Sequence, residues 1–291
     1  MKMRDAVLSF LGCASFAFVV FGAGALTVFL FMRGLPALDL RLFFDDTPPL
    51  QAIFAMRPVW DGIWPAMAGT LSLLVVTMLL ALPLGVSCGV YLACFASARE
   101  REWIGECVDV LAGIPSIVMG LFGLELIVVL RRTVLPQGTT CLLLASVCLA
   151  LLVLPTLIAA TRASLEALPA RLSLTADALG LTKVQTVRHL LLPAAGPGIL
   201  GGVVLAMGRA TEDTAVIMLT GAVANAGLPA GLTAKFEALP FKIFYTAAQY
   251  TGPEELARGF GTALFLLLLS ESLIVCAKLL QQRLLRRWSR A

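Results

Sequence analysis

The sequence predicts an all-α, polytopic transmembrane helical bundle of about six spans, and three observations carry the prediction. Hydrophobic side chains make up 59% of the 291 residues and charged ones 14%, against roughly 45–50% and about 25% in water-soluble domains. Mean hydropathy is +0.92. Long uncharged runs recur along the chain, and a bilayer core of about 30 Å takes up about 20 residues per helical crossing. The length accommodates six crossings with their connections, and a water-soluble globular protein is excluded.

The first run, Ala6 to Met32, has no charge between Asp5 and Arg33. It far exceeds the roughly 7–15-residue apolar region of a cleavable signal, so it reads as a retained span. The second, Gly62 to Ala98, would be about 55 Å long as a single helix. Tilt, a kink near Pro83 or an extension into the cytoplasm is expected. Further spans fall at Val110–Leu130, Cys141–Thr161, Ala194–Ala224 and Gly259–Ala277, each ending near charges or a Gly/Pro-containing connection. The expected organisation is a cytoplasmic N-terminus (1–5), one membrane domain (6–281) and a basic cytoplasmic tail (282–291).

Net charge is +4, and the basic residues flank apolar runs, which points to a lipid bilayer and away from nucleic acid. With the N-terminus inside, thirteen of the 22 basic residues lie in the cytoplasm and eight outside, with Arg209 left within a span. The positive-inside rule favours that orientation. The tail Lys278–Arg290 then anchors at the membrane surface. The outer segments Phe43-Phe44-Asp45-Asp46 and Trp60-Asp61-Gly62-Ile63-Trp64 suit an interfacial belt or a docking surface for an external partner. Seven scattered cysteines without a CxxC pair imply neither a disulfide framework nor a metal site. His189 is the only histidine, and no HExxH, Gly-x-Ser-x-Gly or phosphate-cradling Gly-Lys-Ser/Thr motif occurs. No enzyme activity or directly bound cofactor is expected.

The connection 162–193 holds the most informative stretch. Thr175-Ala176-Asp177-Ala178-Leu179-Gly180 is followed by nine residues and then Leu190-Leu191-Leu192-Pro193. Gly180 permits a sharp reversal between two short amphipathic helices, and Pro193 is placed to start the next span. This spacing resembles the coupling-helix signature of ABC importer permeases, which implies a type I importer fold. The resemblance assigns ATPase coupling to Thr175, Ala176, Asp177, Ala178, Gly180, Leu190, Leu192 and Pro193. Leu174 stands where the signature has Glu and Thr175 where it has Ala, which removes one salt bridge to the ATPase.

Four further segments resemble phosphate-specific permeases of the PstA type: Trp64–Thr70, Ala81–Val86, Gly113-Ile114-Pro115-Ser116-Ile117-Val118-Met119-Gly120-Leu121-Phe122-Gly123, and Gly208-Arg209-Ala210 onward. Gly113, Pro115 and Ser116 loosen a span, and Gly120 and Gly123 let a neighbouring backbone approach; such a segment serves tight packing or lines a substrate path. Arg209 within a span costs about 2.5–3.5 kcal/mol on insertion scales, so it needs a partner or an aqueous path. Asp213, one helical turn on, is placed to face it, and an Arg fork matches tetrahedral oxyanions. Arg209, Ala210, Thr214 and Ala215 match the family's Arg-Ala-x-Gly-Glu-Thr-Ala, with Asp213 for Glu and Glu212 for Gly. Two readings follow: a substrate path built on Arg209, Asp213 and Ser116, or a structural ion pair. Glu125 and Glu271 also interrupt apolar spans and are placed to bond neighbouring helices or a partner permease.

The resemblance implies a permease subunit in the bacterial inner (cytoplasmic) membrane with both termini cytoplasmic, importing inorganic phosphate by alternating access. It implies a second homologous permease, two copies of a cytoplasmic ABC ATPase that uses ATP, and an external phosphate-binding protein. Import of another oxyanion or small solute, or a non-transport membrane scaffold, are the alternatives.

Overall fold

In lipid each backbone polar group needs a partner within the protein, and a helix supplies it locally. A computed structural model of the chain describes residues 2–45, 47–54, 59, 61–133, 136 and 138–288, without the side chains of residues 2–8, 53, 54, 280 and 284–288. Asp46, Trp60 and Arg290, named above, lie outside the described residues. Every regular element among the described residues is helical.

The long helix α1 (Lys2–Gly34) leads into the short helices α2 (Leu40–Phe44) and α3 (Pro49–Phe54). Next, α4 (Trp64–Val90) runs through Pro83 and ends in a wide π-type turn at Tyr91–Phe95. Helix α5 (Ala98–Gly113) opens on a capping box in which Ser97 and Glu100 satisfy each other's backbone N–H. Helix α6 (Ser116–Thr133) leaves α5 at 95°. Pro115 has no N–H for the ladder and drives Ile114 to extended backbone, ψ 122°. The span expected at Val110–Leu130 is therefore an elbow, with only its α6 arm strongly apolar.

Helix α7 (Leu142–Glu166) is followed by α8 (Arg171–Ala178) and α9 (Lys183–Thr186), and a second wide turn at Val187–Leu191 feeds α10 (Leu192–Glu212). Pro193 sits in the first turn of α10, where its missing N–H costs least, and the wide turn before it runs into that helix without a break. The single helix expected at Ala194–Ala224 ends at Glu212, and α11 (Thr214–Thr220) begins after a break at Asp213, ψ 98°. The Asp213 carboxylate accepts a hydrogen bond from Val216 N at 2.9 Å, the local competition with the helix that makes aspartate a capping residue. Helices α12 (Leu239–Gln249) and α13 (Pro253–Trp288) complete the chain. Among the described residues five helices are long and apolar enough to cross a membrane, and the α5–α6 elbow makes a sixth span if counted as one.

Helix α7 is the hub, packing on α4, α5, α6, α10 and α11. In its apolar window 67% of residues are buried, against none in that of α1. The largest core cluster joins Leu73, Met119, Leu142, Leu149, Val216 and Ile217 to Phe236, which comes from the connection between α11 and α12. That connection re-enters the bundle. Its carbonyls at Ala234 and Leu232, with Thr220 O, accept from Leu142 N, Leu143 N and Cys141 N at 2.8–3.1 Å. They fill the orphan donors of the first turn of α7. On the α4 side, Thr70 Oγ1 accepts from Leu239 N at 2.9 Å, and a side chain at Gly69 would strike Glu237 O.

A buried ion pair ties the same end together. Lys242 Nζ lies 3.8 Å from the Glu237 carboxylate, which also accepts from Gly227 N at 2.9 Å, and donates to Gly62 O at 2.6 Å. Burial pushes the Glu237 carboxyl up from its ordinary value against the pull of Gly227 N–H and Lys242, and burial pushes the Lys242 amine down.

Candidate functional site

At the end of the bundle that holds α8 and α9, the chain reverses at Gly180, whose φ is +71°. Leu181 N donates to Ala176 O at 3.1 Å and Gly180 N to Asp177 O at 3.0 Å. These two bonds make a complete Schellman close to α8, which needs a left-handed residue where Gly180 stands. Thr182 then caps α9, its side chain accepting from Gln185 N while Gln185 returns to Thr182 N. Ala176 is buried, whereas Thr175, Asp177 and Ala178 are exposed; Leu190, Leu192 and Pro193 are half-buried. Leu192 packs with Leu165, Ala195 and Ile199 at the foot of α10. Leu174, Leu179 and Val184 form an exposed apolar cap of the turn, each more than 60% exposed. The turn is also braced from the wide turn after α4, because Lys183 Nζ lies 5.4 Å from the Phe95 ring centroid.

Within the span region, Gly113 and Pro115 are exposed at the elbow and Ser116 is half-buried at the first position of α6. Gly120 and Gly123 are buried where α6 crosses α11 and α7. A Cβ at Gly120 would lie 3.0 Å from Ala215 O, and one at Gly123 would lie 2.5 Å from Thr220 Cγ2 and 2.6 Å from Cys148 Sγ. These two positions allow the backbones to approach more closely than any side chain would permit.

Arg209 lies on α10 with Leu205 and Glu212 along one exposed stripe, while Ala206, Ala210 and Thr211 face inward. The expected pairing of Arg209 with Asp213 is not formed. The carboxylate of Asp213 is engaged in capping α11, and among the described residues no carboxylate lies within 4.0 Å of the Arg209 guanidinium. The break at Asp213 also ends the helical geometry that would have stacked the two. Ser116 sits on a different helix, and among the described residues no hydrogen bond joins it to Arg209 or Asp213. Glu125 and Glu271 are exposed on α6 and α13.

Sequence reasoning did not single out three features of this arrangement: the buried Glu237–Lys242 pair, the re-entrant connection, and Ser270, buried on α13 without a hydrogen-bond partner. The apolar run Ala238–Phe241 directly after Glu237 was the available signal for the first two.

Residues 81–290 match the family described as binding-protein-dependent transport system inner membrane component. YqgH of Bacillus subtilis (strain 168), a probable ABC transporter permease protein, is 30% identical over 207 residues, 68% of this chain and 65% of YqgH. The matched region thus spans a little under two thirds of that relative. The phosphate transport system permease protein PstA 1 of Mycobacterium tuberculosis (strain CDC 1551 / Oshkosh) is 32% identical over 223 residues, 76% of this chain and 70% of that protein. Among solved structures, a chain of a bacterial ABC transporter involved in the import of the acidic polysaccharide alginate has a TM-score of 0.60 at 13% identity, covering 94% of this chain and 98% of that one. At that identity the likeness is one of fold. The family match runs from the middle of α4 into the C-terminal end of the chain and takes in both the Gly180 turn and the Arg209 stripe; the chain therefore belongs to the binding-protein-dependent transport system inner membrane component family.

Proposed function

We propose that this chain is the permease subunit of an ATP-driven importer that carries inorganic phosphate into the cytoplasm by alternating access. The observation that carries this reading is Arg209. It is an exposed guanidinium without a carboxylate partner among the described residues, on a span-forming helix of a chain similar to PstA 1. A guanidinium fork offers a tetrahedral oxyanion paired N–H donors, and it holds its charge at any physiological pH. The stripe carrying Arg209 faces away from this chain's own core, which suits a path shared with a second, homologous permease.

Two copies of a cytoplasmic ABC ATPase would seat the exposed cap Leu174, Leu179 and Val184, and an external phosphate-binding protein would deliver the anion. Closure of the ATPases on ATP would push α8 and α9. The wide turn Val187–Leu191 joins α9 without a break to α10, so the push reaches the helix that bears Arg209. On this reading ATP chemistry belongs to the partner subunits and the chain contributes no catalytic residue.

Import of a different oxyanion or small solute is favoured by one departure: Glu212, exposed on the Arg209 stripe, puts a negative charge beside the proposed path. Uptake of labelled phosphate by cells with the complete transporter tests both readings, comparing native chain and Arg209→Ala at matched membrane abundance with excess sulfate and molybdate as competitors. Phosphate uptake that resists the competitors and collapses in the variant is expected. Uptake blocked by another oxyanion would reassign the substrate, and normal uptake by the variant would remove Arg209 from the path.

A further inference from the structure

Beneath the Gly180 turn the chain leaves a cleft of about 450 Å³. One wall comes from the foot of the bundle: Ala93 and Cys94 of the wide turn after α4, with Leu165 and Leu168 at the end of α7. The other wall is the turn itself. Ala170 at the N-cap of α8, Ser173 and Asp177 follow one another at helical spacing, and Lys183 and Thr186 of α9 continue the wall. Leu174 stands about 100° round α8 from Ser173. The cleft and the exposed apolar cap thus occupy different faces of one short helix.

Protein interiors are close-packed, so a gap of this size beside tight helix contacts calls for a reason, and its borders supply one. The segment Arg171–Thr186 is attached at both ends by backbone that departs from α winding: residues 167–170 on the α7 side and the wide turn Val187–Leu191 on the α10 side. Wide turns of this kind recur at functional points of helices, and hinges are a few residues at element ends that absorb a change in backbone angles. The other wide turn, Tyr91–Phe95, lies across the cleft, and Arg101 of α5 donates to its carbonyls at Leu92 and Ala93 at 3.1 and 3.3 Å. Lys183 reaches from the hinged segment to the Phe95 ring, so the two walls meet along one edge and stand apart along the rest.

We propose that Arg171–Thr186 is a lid that closes on this cleft when force is applied to the exposed cap, hinged at residues 167–170 and at Val187–Leu191. Closing takes the apolar lining out of water, which favours the closed form, and the cleft is the room that the stroke consumes. The inference rests on the reading of the chain as an importer subunit, and it adds where the push of the ATPase is taken up. A lid with its cleft filled passes no movement on to α10, so filling uncouples ATP hydrolysis from transport and leaves the cap that the ATPase meets intact.

The test uses the assembled transporter in lipid nanodiscs. Cys94 lines the cleft and is half-buried, so its alkylation by N-ethylmaleimide, read by peptide mass spectrometry, reports whether the cleft is open. With the ATPase bound throughout, labelling without nucleotide is compared with labelling in ATP and vanadate. About tenfold slower labelling in the trapped state is expected, since thiol reactivity follows access. Equal rates in the two states would overturn the lid. Ala93→Trp and Ser173→Trp fill the cleft from either wall; both should retain the ATPase and its hydrolysis while uptake falls about tenfold. Ala98→Trp, at an exposed position of α5 that does not line the cleft, should keep native uptake. Native uptake by both filled variants would equally overturn the lid. Where a Trp variant fails to assemble, the two-state labelling of the native protein decides. Protection of Cys94 in a transporter that does not import phosphate would sink the substrate reading alone, whereas an ATPase that does not bind at all would overturn the importer reading and the lid with it.

Discussion

Replacing Gly180 separates the shape of the α8–α9 turn from everything else in the chain. A Cβ added at Gly180 meets nothing within 4 Å, so Gly180→Ala changes only backbone preference. Holding a non-glycine residue at φ +71° costs about 1–2 kcal/mol. Proline cannot adopt that angle, since its ring holds φ near −65°. Gly180→Pro also removes the N–H that bonds Asp177 O and misdirects Leu181 N from Ala176 O. At about 0.5–1.5 kcal/mol net for each bond, added to the backbone term, the turn loses roughly 2–5 kcal/mol. The Schellman close would open, and the apolar cap of Leu174, Leu179 and Val184 would lose its shape. Spans elsewhere should be untouched. The assay is co-purification of the ATPase from membranes together with solute uptake, with thermal unfolding of the variant as the control. Alanine should reduce ATPase recovery modestly, and proline should abolish both recovery and uptake at near-native unfolding temperature. Native-level ATPase recovery with Gly180→Pro would refute the assignment of this turn as the coupling element.

Gly123→Val should lower the unfolding temperature, since even its Cβ falls 2.5 Å from Thr220 and 2.6 Å from Cys148; overpacking of this kind costs about 1–3 kcal/mol, read by thermal denaturation in detergent. Asp213→Ala should destabilise the start of α11 by about 0.5–2 kcal/mol, and Asp213→Asn, which keeps an accepting oxygen, should recover most of it. Lys242→Met leaves Glu237 buried without its cation, a loss of about 3–5 kcal/mol, whereas the double change with Glu237→Gln should be close to neutral; denaturant titrations of the three proteins measure this. For pH, the Glu237 carboxyl is raised in the folded state, so the folded chain takes up this proton before the unfolded one as pH falls. Its contribution to stability should therefore grow on acidification through the raised value and level off below the ordinary carboxylate range. Unfolding temperature across pH 7 to 4, native against Glu237→Gln, checks the sign.

Hydropathy located the membrane helices because long uncharged runs are a property of composition, which survives averaging over a span. What averaging hides is the single residue that interrupts a run. Asp213 sits between Arg209 and the apolar stretch Ala215–Leu219 and reads as one more polar residue in a helix, yet its capping bond ends α10. Pro115 was legible as a loosening of the span, but the 95° elbow depends on how α6 docks on α11 and α7. Gly180 was legible because a turn between two short helices is a local matter. The cleft beneath that turn was not, because it is built from the ends of α4 and α7 together with α8 and α9, and no local pattern reports which helix ends meet.

The re-entrant connection has a mechanical meaning. Its carbonyls at Ala234 and Leu232 are the acceptors for the first two N–H groups of α7, Leu142 N and Leu143 N, so lifting this plug away from α7 would strip those two donors of their partners. Each abandoned donor in a dry setting costs about 1–3 kcal/mol, which makes such a separation slow and rare. The plug and α7 must therefore travel as one stiff rod, with α4 latched alongside through Thr70. Give in the bundle is then left to the places where the backbone ladder is already interrupted: the corner at Pro115, the gap at Asp213 and the two loosely wound turns at Tyr91–Phe95 and Val187–Leu191.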